Sequence, residues 1–211
     1  MNRTTFIIDG FNLYHSVVEA GKDLHSGSTK WLDINSLCKS YLYLISKDAK
    51  IEKIFYFSAL ANHLQLKYPD KIQRHELFIK ALISTGIIVE LGRFKAKEVF
   101  CDNCRRLMIK HEEKETDVAM SAKIFELLIK NETDTIVIIS GDTDLAPVIR
   151  TVNQLYPAKK ILFGFPYKRF NRELKSLSPS SFSISKEQYV KHQFPEKIIN
   201  KNQELIKPNN W

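Results

Sequence analysis

The feature that most constrains the fold of this chain is the alternation of short strand-like runs with longer segments of helical apolar spacing. The strand-like runs are rich in Ile, Val and Phe and fall at residues 5–8, 51–59, 87–91, 135–139 and 160–164. Between them, apolar residues recur at helical intervals within residues 13–20, 34–45, 69–86, 116–130, 144–152 and 171–177. This alternation predicts an α/β sandwich around a mainly parallel sheet, doubly wound by right-handed crossovers.

The segment from Gly92 to Lys114 interrupts the alternation. It is polar and charged, contains Cys101 and Cys104, and has no helical period. We therefore predict that residues 92–114 form an extended excursion or hairpin, inserted into the domain and not a domain of its own. The helix predicted next, over residues 116–130, has one apolar stripe that we expect to face the core, formed by Val118, Ala122, Phe125 and Ile129.

Length and charge divide the chain unequally. A chain of 211 residues fits one domain, which we place at residues 1–185, followed by residues 186–211 as a basic, partly disordered C-terminal extension. Residues 1–150 carry 21 Lys and Arg against 20 Asp and Glu, whereas residues 151–211 carry 11 against 4. The basic excess of the C-terminal part indicates either attraction to a polyanion such as nucleic acid or an ordinary solvated surface.

The cysteine content and the lack of long apolar runs predict a cytoplasmic protein without membrane association. Three cysteines are too few for a disulfide framework, and no run approaches the ~20 apolar residues that cross a bilayer. The sequence begins without a signal-peptide pattern. Cys101 and Cys104 form a Cys-x-x-Cys pair, but no second pair has a suitable spacing. A zinc site would need Cys38 and His111 to come close, so we expect two reduced thiols instead.

Four aspartates are expected to converge at one edge of the sheet. Asp9 follows the first strand, Asp142 and Asp144 follow the strand at 135–139, and Asp117 stands near the start of a helix. Ligands of open parallel sheets bind at the carboxyl ends of the strands. Because close carboxylates repel one another, we expect a divalent cation, Mg2+ or Mn2+, among them. Each aspartate also has an ordinary structural role as a turn residue or cap, and we expect Asp144 to cap the following helix.

Three sequence blocks resemble a known family. Residues 6–14 read FIIDGFNLY, residues 113–119 read EKETDVA and residues 138–148 read IISGDTDLAPV. In this order, the blocks resemble the NYN domains of the PIN-like nuclease superfamily, in their longer bacterial form. The resemblance implies a PIN-like three-layer α/β/α sandwich and a metal-dependent endoribonuclease that leaves a 5′-phosphate end. The chain departs from the commonest pattern at Glu115, where relatives often have glycine.

The same resemblance implies roles for particular residues. Asn12 would orient Asp9, a water on the metal or the phosphate, although capping the first helix is its ordinary alternative. Ser140 would hydrogen-bond a neighbouring carboxylate or the substrate. The catalytic residues that also hold one or two Mg2+ or Mn2+ ions would be Asp9, Asp117, Asp142 and Asp144.

Basic residues close to these acids are candidates for binding RNA. Arg93 and Lys95 alternate along a predicted strand, and Lys114 lies just before Asp117. They would guide the RNA backbone toward the acids, with simple solvation as the alternative. Further along the chain, cations and aromatic residues mix in a way that suits single-stranded nucleic acid: Tyr167, Lys168, Arg169, Phe170 and Arg172.

Two functions from different classes fit these observations. The first is a ribonuclease, an endonuclease that hydrolyses single-stranded or structured RNA at an aspartate-held metal site. The second is an RNA-binding regulatory adaptor that keeps the fold with little or no turnover. A phosphatase of the haloacid dehalogenase type is disfavoured because Gly10 and Phe11 follow Asp9, without that family's second aspartate two positions on. A homo-oligomer is compatible with either function.

Overall fold

Strands and helices alternate along the chain in the computed structural model, which describes residues 1–25, 29–101, 103–200 and 203–209. The strands are β1 (Asn2–Asp9), β2 (Ala49–Ala59), β3 (Ile88–Phe100), β4 (Leu107–Lys114), β5 (Thr135–Ile139), β6 (Lys160–Phe165), β7 (Phe182–Ser183), β8 (Lys197–Asn200) and β9 (Gln203–Ile206). The helices are α1 (Gly10–Leu24), α2 (Ile34–Ser40), α3 (Leu42–Ile45), α4 (Pro69–Ser84), α5 (Thr116–Ile129), α6 (Ala146–Leu155), α7 (Arg172–Leu177) and α8 (Lys186–Lys191). The helix expected over residues 34–45 is divided at Tyr41 into α2 and α3.

The central sheet places β1 in the middle. Seven strands of the described chain form it in the order β4-β3-β2-β1-β5-β6-β7, and β8 pairs with β9 separately. Neighbours in the large sheet are parallel except β3 and β4. In register, Ile7 of β1 stands between Phe55 of β2 and Ile138 of β5. Because the chain moves outward from β1 to one side and later resumes at β5 on the other, a crevice opens at their carboxyl ends.

Helices cover both faces of the sheet, which confirms the three-layer α/β/α sandwich. Alternating residues of β1 face opposite cores, with Phe6 and Ile8 on one side and Ile7 on the other. Helices α1, α2, α4 and α8 pack on the first face, and α5, α6 and α7 pack on the second. Within the described ranges, no helix is long and apolar enough to cross a bilayer.

The segment predicted as an excursion or hairpin is a hairpin. Strand β3 continues past the expected end at Leu91 to Phe100, and β4 returns antiparallel to it, pairing Arg93 with Lys114 and Phe100 with Leu107. The outer part of β3 is difficult to predict from the sequence, because its Lys and Glu residues have a low strand propensity. The returning strand ends directly before α5.

Helix α5 lies where it was predicted, but of the four residues expected to face the core only Phe125 packs against it, and Ala122 is exposed. Val118 and Ile129 are 73% and 71% exposed. The buried face is formed instead by Thr116, Met120, Ile124, Leu127 and Leu128. Both faces of this helix carry apolar residues, so the spacing alone selects neither.

The chain beyond residue 185 packs onto the first face of the sheet. Tyr189 of α8 is fully buried, and its hydroxyl oxygen lies 2.9 Å from Ser16 Oγ. The Trp31 indole donates to the Pro195 carbonyl at 2.9 Å, and Phe194 packs edge-on against the Trp31 ring. Residues 186–200 and 203–209 form α8, β8, β9 and their connections, and the expectation of a partly disordered extension stays a prediction. For residues 201, 202, 210 and 211 that expectation lies outside the described part of the chain.

Candidate active site

The centre of the site is Asp9, the last residue of β1. It caps α1, and its carboxylate accepts hydrogen bonds from the Asn12 N–H and the Ser140 hydroxyl, each at 2.9 Å. Burial raises the pKa of the Asp9 carboxyl, while these two hydrogen bonds favour the charged form. Asp9 is therefore held in one orientation, with a pKa above the ordinary value of an aspartate.

The turn after β5 is fastened to the start of α1. Ser140 is fully buried and also accepts a hydrogen bond from the Asp142 N–H at 3.1 Å. The Gly141 N–H donates to Asn12 Oδ1 at 3.1 Å. A side chain at Gly141 would meet the carbonyl oxygen of Arg169 at 2.0 Å, so only glycine fits this close approach. The ends of β1 and β5 are thus joined by side-chain hydrogen bonds. Ser140 contacts a neighbouring carboxylate, as the resemblance implies, whereas the Asn12 side chain contacts Gly141 and the cap of α1 is Asp9.

Asp142 and Asp144 begin the short 3-10 turn Thr143–Leu145. Asp142 caps this turn by accepting a hydrogen bond from the Asp144 N–H at 3.0 Å. The prediction that Asp144 caps the next helix was wrong, because α6 starts two residues later without a side-chain cap. Asp144 is exposed, so its carboxylate is available to ligands.

Asp117 joins the other acids from the first turn of α5. Burial, together with the negative charges of Asp142, Asp9, Glu113 and Asp144, raises the pKa of its carboxyl to about 6. Asp117 therefore lies close enough to the other three predicted aspartates to be affected by their charges.

Glu113 is a fifth acid, which was not singled out from the sequence. It lies near the end of β4 and accepts hydrogen bonds from the backbone N–H and the hydroxyl of Thr116, at the start of α5. Glu113 is the first residue of the EKETDVA block and stands four residues before Asp117, so the block contained the information. Recognising it required knowing that β4 returns along β3 to the sheet edge.

The basic residues expected to guide RNA lie at and beyond the base of the hairpin. Arg93 pairs in register with Lys114, and Lys95 lies one step further out on the same face of β3. Arg93 contacts Glu115 at 2.5 Å, and Lys114 contacts Glu112 at 3.0 Å. Their charges are partly offset by these glutamates, whereas Lys95 is exposed.

The second basic group mainly holds α1 in place. Lys168 forms an ion pair with Asp23 at 2.5 Å, and Arg169 forms one with Glu19 at 3.0 Å. The Tyr167 hydroxyl also donates to Asp23. These intramolecular contacts reduce the capacity of this segment to bind phosphates.

The three cysteines are free thiols in different surroundings. Cys38 is fully buried in the first core, whereas Cys101 and Cys104 lie in the turn of the β3–β4 hairpin. A backbone hydrogen bond from Cys104 lowers the pKa of the Cys101 thiol. His111 lies along β4, away from this turn, and its ring stacks on His63 at 3.9 Å. The structure brings neither of the two additional zinc ligands to the pair.

The donor set suits a hard divalent cation, although the side chains do not enclose one. Within the described ranges, no three His, Cys, Asp or Glu side chains lie close enough to hold a metal ion. Carboxylate oxygens are nevertheless the ligands that Mg2+ and Mn2+ prefer. The raised pKa of Asp117 reflects repulsion among like charges, which a cation between them would relieve.

Comparison with solved structures gives a similar fold. A crystal structure of a protein of unknown function from Vibrio parahaemolyticus aligns with a TM-score of 0.54 over 87% of this chain and 93% of that chain. The two sequences are 17% identical, so the likeness concerns the fold alone. Among curated proteins, no sequence matches this chain significantly.

Comparison with family models gives a match over most of the chain. The matching model is described as the NYN domain and covers residues 3–185. This range contains all four predicted aspartates, Asn12 and Ser140. The chain therefore belongs to the NYN domain family of the PIN-like nuclease superfamily.

Proposed function

We propose that this protein is a metal-dependent endoribonuclease that hydrolyses RNA phosphodiester bonds. The observation that carries the proposal is the position of Asp117, whose carboxyl has a pKa of about 6 beside Asp9, Asp142, Glu113 and Asp144. Such mutual repulsion at the ligand-binding edge of a sheet is characteristic of sites that receive a cation. Membership of a family of nucleases and hydrolases supports the reaction class.

In this proposal the aspartates hold the ion and their neighbours keep them in place. Asp9, Asp117, Asp142 and Asp144 would bind one or two Mg2+ or Mn2+ ions through carboxylate oxygens. A bound cation would polarise a phosphoryl oxygen and lower the pKa of a bound water. Ser140 fixes the Asp9 carboxylate through its hydroxyl, and Asn12 fixes the turn that carries Asp142.

We include in the proposal the 5′-phosphate end that the family resemblance implies, which means that the bond to the 3′ oxygen is the one broken. Hydrolysis adds water across the bond between phosphorus and the 3′ oxygen, leaving a 5′-phosphate and a 3′-hydroxyl. Arg93, Lys95 and Lys114 would contact backbone phosphates of the RNA strand beside the acids.

The free thiols of the chain fit a reducing cytoplasm, which we include in the proposal. Homo-oligomer formation stays a prediction.

The second candidate is an RNA-binding regulatory adaptor with little or no turnover. It is favoured by one observation, that the described acids do not enclose a metal ion in their present positions. Such an adaptor would bind RNA in a salt-sensitive manner without metal-dependent products.

The experiment that separates these functions uses end-labelled RNA with Mg2+, with Mn2+ or with EDTA. We expect cleavage only with metal, and products that carry a 5′-phosphate. Asp142→Asn should abolish cleavage, whereas Asp70→Asn, which removes an exposed first-turn aspartate of α4, should leave it unchanged. Cleavage that persists in Asp142→Asn, or in EDTA, would refute the proposed metal site. Salt-sensitive binding with no cleavage under any condition would support the adaptor.

A further inference from the structure

A cavity of about 540 Å³ opens beside the acid cluster, on the face of the sheet covered by α1 and α4. Gly10 and Glu113 line it, so it begins one residue after Asp9 and includes an acid that acts on Asp117. Its volume lies within the ~300–1,000 Å³ range of small-ligand sites. The proposed function uses none of its other residues, which makes it a separate feature of the molecule.

The walls of this cavity are largely aromatic. The Phe11 and Phe94 rings meet edge to face at 5.9 Å, and His63 lies 4.9 Å from Phe94. Tyr14 also lines the cavity and is 41% exposed. A flat aromatic ligand can stack on such rings, and nucleobases stack on aromatic side chains in many single-strand binding sites. The remaining aromatic lining comes from Tyr56, His15, His75 and Phe78.

The charges around the cavity favour an anionic ligand. Lys71 and Arg74 line it from successive turns of α4, and neither forms an ion pair with an acid of the described residues. His75 lies deeper, with its Nε2 3.3 Å from the Ser58 hydroxyl. Burial lowers the pKa of His75, and Lys71 lowers it further. Lys30 also lines the cavity, so among the described residues three cations and the single carboxylate of Glu113 surround it, beside the His75 imidazole and the Ser58 hydroxyl.

A second depression continues from the first. It has a volume of about 410 Å³ and shares His63 and Phe94 with the cavity. Arg93 and Gly92 line it at the base of the hairpin. The two concavities therefore form a path from the acids, past an aromatic wall, to one of the arginines expected to contact phosphates.

We propose that the larger cavity binds one unpaired nucleotide of a single-stranded RNA, with its base among the aromatic rings and its phosphate near Lys71 and Arg74. That the ligand is part of an RNA strand rests on the proposed function. That the ligand is a nucleotide rests on the aromatic and basic residues of the cavity itself. The adjoining residues of the strand would extend toward Arg93 on one side and the aspartates on the other. A base-paired nucleotide cannot enter, so cleavage would require an unpaired nucleotide next to the cut bond.

Binding in EDTA tests the proposal without any cleavage. The probes are a fluorescent single-stranded RNA hexamer, the same hexamer with one abasic site moved along it, and a free nucleoside monophosphate. We expect one abasic position to weaken binding to the unaltered protein by about fivefold or more, because one stacked base is lost. If every abasic hexamer binds as tightly as the intact one, the cavity does not hold a base.

Variants of the cavity make the same test specific. Ala61→Trp places a large side chain in the cavity. Tyr14→Ala removes an aromatic ring that lines the cavity and is not part of the buried core. Both should bind the intact and the abasic hexamers with equal, weakened affinity, while their unfolding transitions stay close to that of the unaltered protein. The double variant Lys71→Ala with Arg74→Ala should weaken binding of all hexamers and reduce its salt dependence. Lys80→Ala removes one positive charge from α4 outside the cavity and should do neither, whereas Lys71→Ala alone, which removes one charge at the cavity, should do both in part.

The outcomes separate this proposal from the proposed function. Loss of affinity at one abasic position, removed by Ala61→Trp, supports the nucleotide site even if no metal-dependent cleavage is found. Metal-dependent cleavage with an unchanged KM in Ala61→Trp and Tyr14→Ala overturns the nucleotide site and leaves the nuclease intact. If the free monophosphate binds as tightly as the hexamer, the cavity serves a free nucleotide and the assignment to an RNA strand is wrong.

Discussion

The side chain of Asn12 accepts a hydrogen bond from the Gly141 N–H at 3.1 Å, although 129 positions separate them in the sequence. Asn12 belongs to the first turn of α1, and Gly141 belongs to the turn that carries Asp142. Asp9 precedes Asn12 and Asp142 follows Gly141, so this contact joins the two segments that carry two of the proposed metal ligands. The bond is therefore a positioning contact between two segments of the site.

We expect Asn12→Ala to reduce cleavage far more than stability. Loss of one partly buried hydrogen bond should lower the free energy of unfolding by about 1 kcal/mol. A shifted Asp142 turn should lower kcat by about 10- to 100-fold, because reacting groups tolerate little misplacement. Urea unfolding and single-turnover cleavage measure the two effects.

The matched control for Asn12 is Asn153→Ala. Its side chain donates to the Leu177 carbonyl at 3.0 Å, away from the acids. Because this hydrogen bond is exposed, the variant should lose no more stability than Asn12→Ala, and it should retain full cleavage. Equal kcat in the two variants would contradict a positioning role for Asn12.

Asp117 makes stability depend on pH in the metal-free protein. Its pKa of about 6 in the folded chain lies above the ordinary aspartate value of 3.8. Below pH 3.8 the carboxyl is protonated in both states, so folding carries no charge penalty from it. As the pH rises from 3.8 through about 6, the carboxyl loses its proton more readily in the unfolded chain, because burial and the neighbouring acids oppose the charge in the folded chain. The free energy of unfolding therefore falls over this pH range.

Asp117→Asn should therefore stabilise the protein in EDTA at pH 8 and have little effect at pH 4. The expected gain is about 1 to 2 kcal/mol, allowing for solvent screening of a half-buried group. Urea unfolding at both pH values measures it, with Asp70→Asn as the exposed control. Added Mg2+ should stabilise the unaltered protein and not the variant. A variant less stable than the unaltered protein at pH 8 in EDTA would contradict the repulsion.

The strand-end aspartates were predictable because parallel topology dictates where strand ends meet. Asp9 and Asp142 follow two strands whose apolar runs are unmistakable, and the crevice between β1 and β5 follows from the order of elements. The nucleotide cavity was not predictable. It depends on the β3–β4 hairpin folding back, which brings Phe94 to Phe11 and Glu113 to the start of α5.

Two other differences between the sequence predictions and the structure have the same physical origin: the burial of a side chain depends on long-range packing. On α5, Met120 and Ile124 are buried while Val118 is exposed, although all three are apolar. Beyond residue 185, Tyr189 and Phe194 enter the core at a spacing that has neither a helical nor a strand period. Single side chains inserted from a polar segment leave no pattern for sequence reasoning to detect.

Glu115, where the chain departs from the family pattern described above, occupies a backbone conformation that favours glycine. Its φ of 83° is in the left-handed region, where a β-carbon is strained. Glu115→Gly relieves that strain but loses the contact with Arg93, whereas Glu115→Ala loses the contact and keeps the strain. We expect the glycine variant to exceed the alanine variant by about 1 kcal/mol in free energy of unfolding. Thermal and urea unfolding compare them, and an alanine variant of equal stability would show that the conformation carries no strain.

Tyr189 provides the test of whether the chain beyond residue 185 is part of the domain. Its buried hydroxyl contacts Ser16 and accepts a hydrogen bond from the Tyr167 N–H at 3.1 Å, and burial raises its pKa to about 12. Tyr189→Phe should lower the free energy of unfolding by about 1 to 2 kcal/mol, because the partly buried Tyr167 N–H loses its partner. Tyr189→Ala should lower it by about 3 to 5 kcal/mol by opening a cavity against α1.

The control for Tyr189 is Tyr43→Phe, which removes a hydroxyl from a side chain that is 75% exposed and should change stability by less than about 0.5 kcal/mol. Urea unfolding followed by circular dichroism compares the variants. All of them should unfold in a single transition, because α8 shares its core with α1 and the central sheet. A Tyr189→Ala variant as stable as the unaltered protein would mean that the segment is attached to the domain without stabilising it.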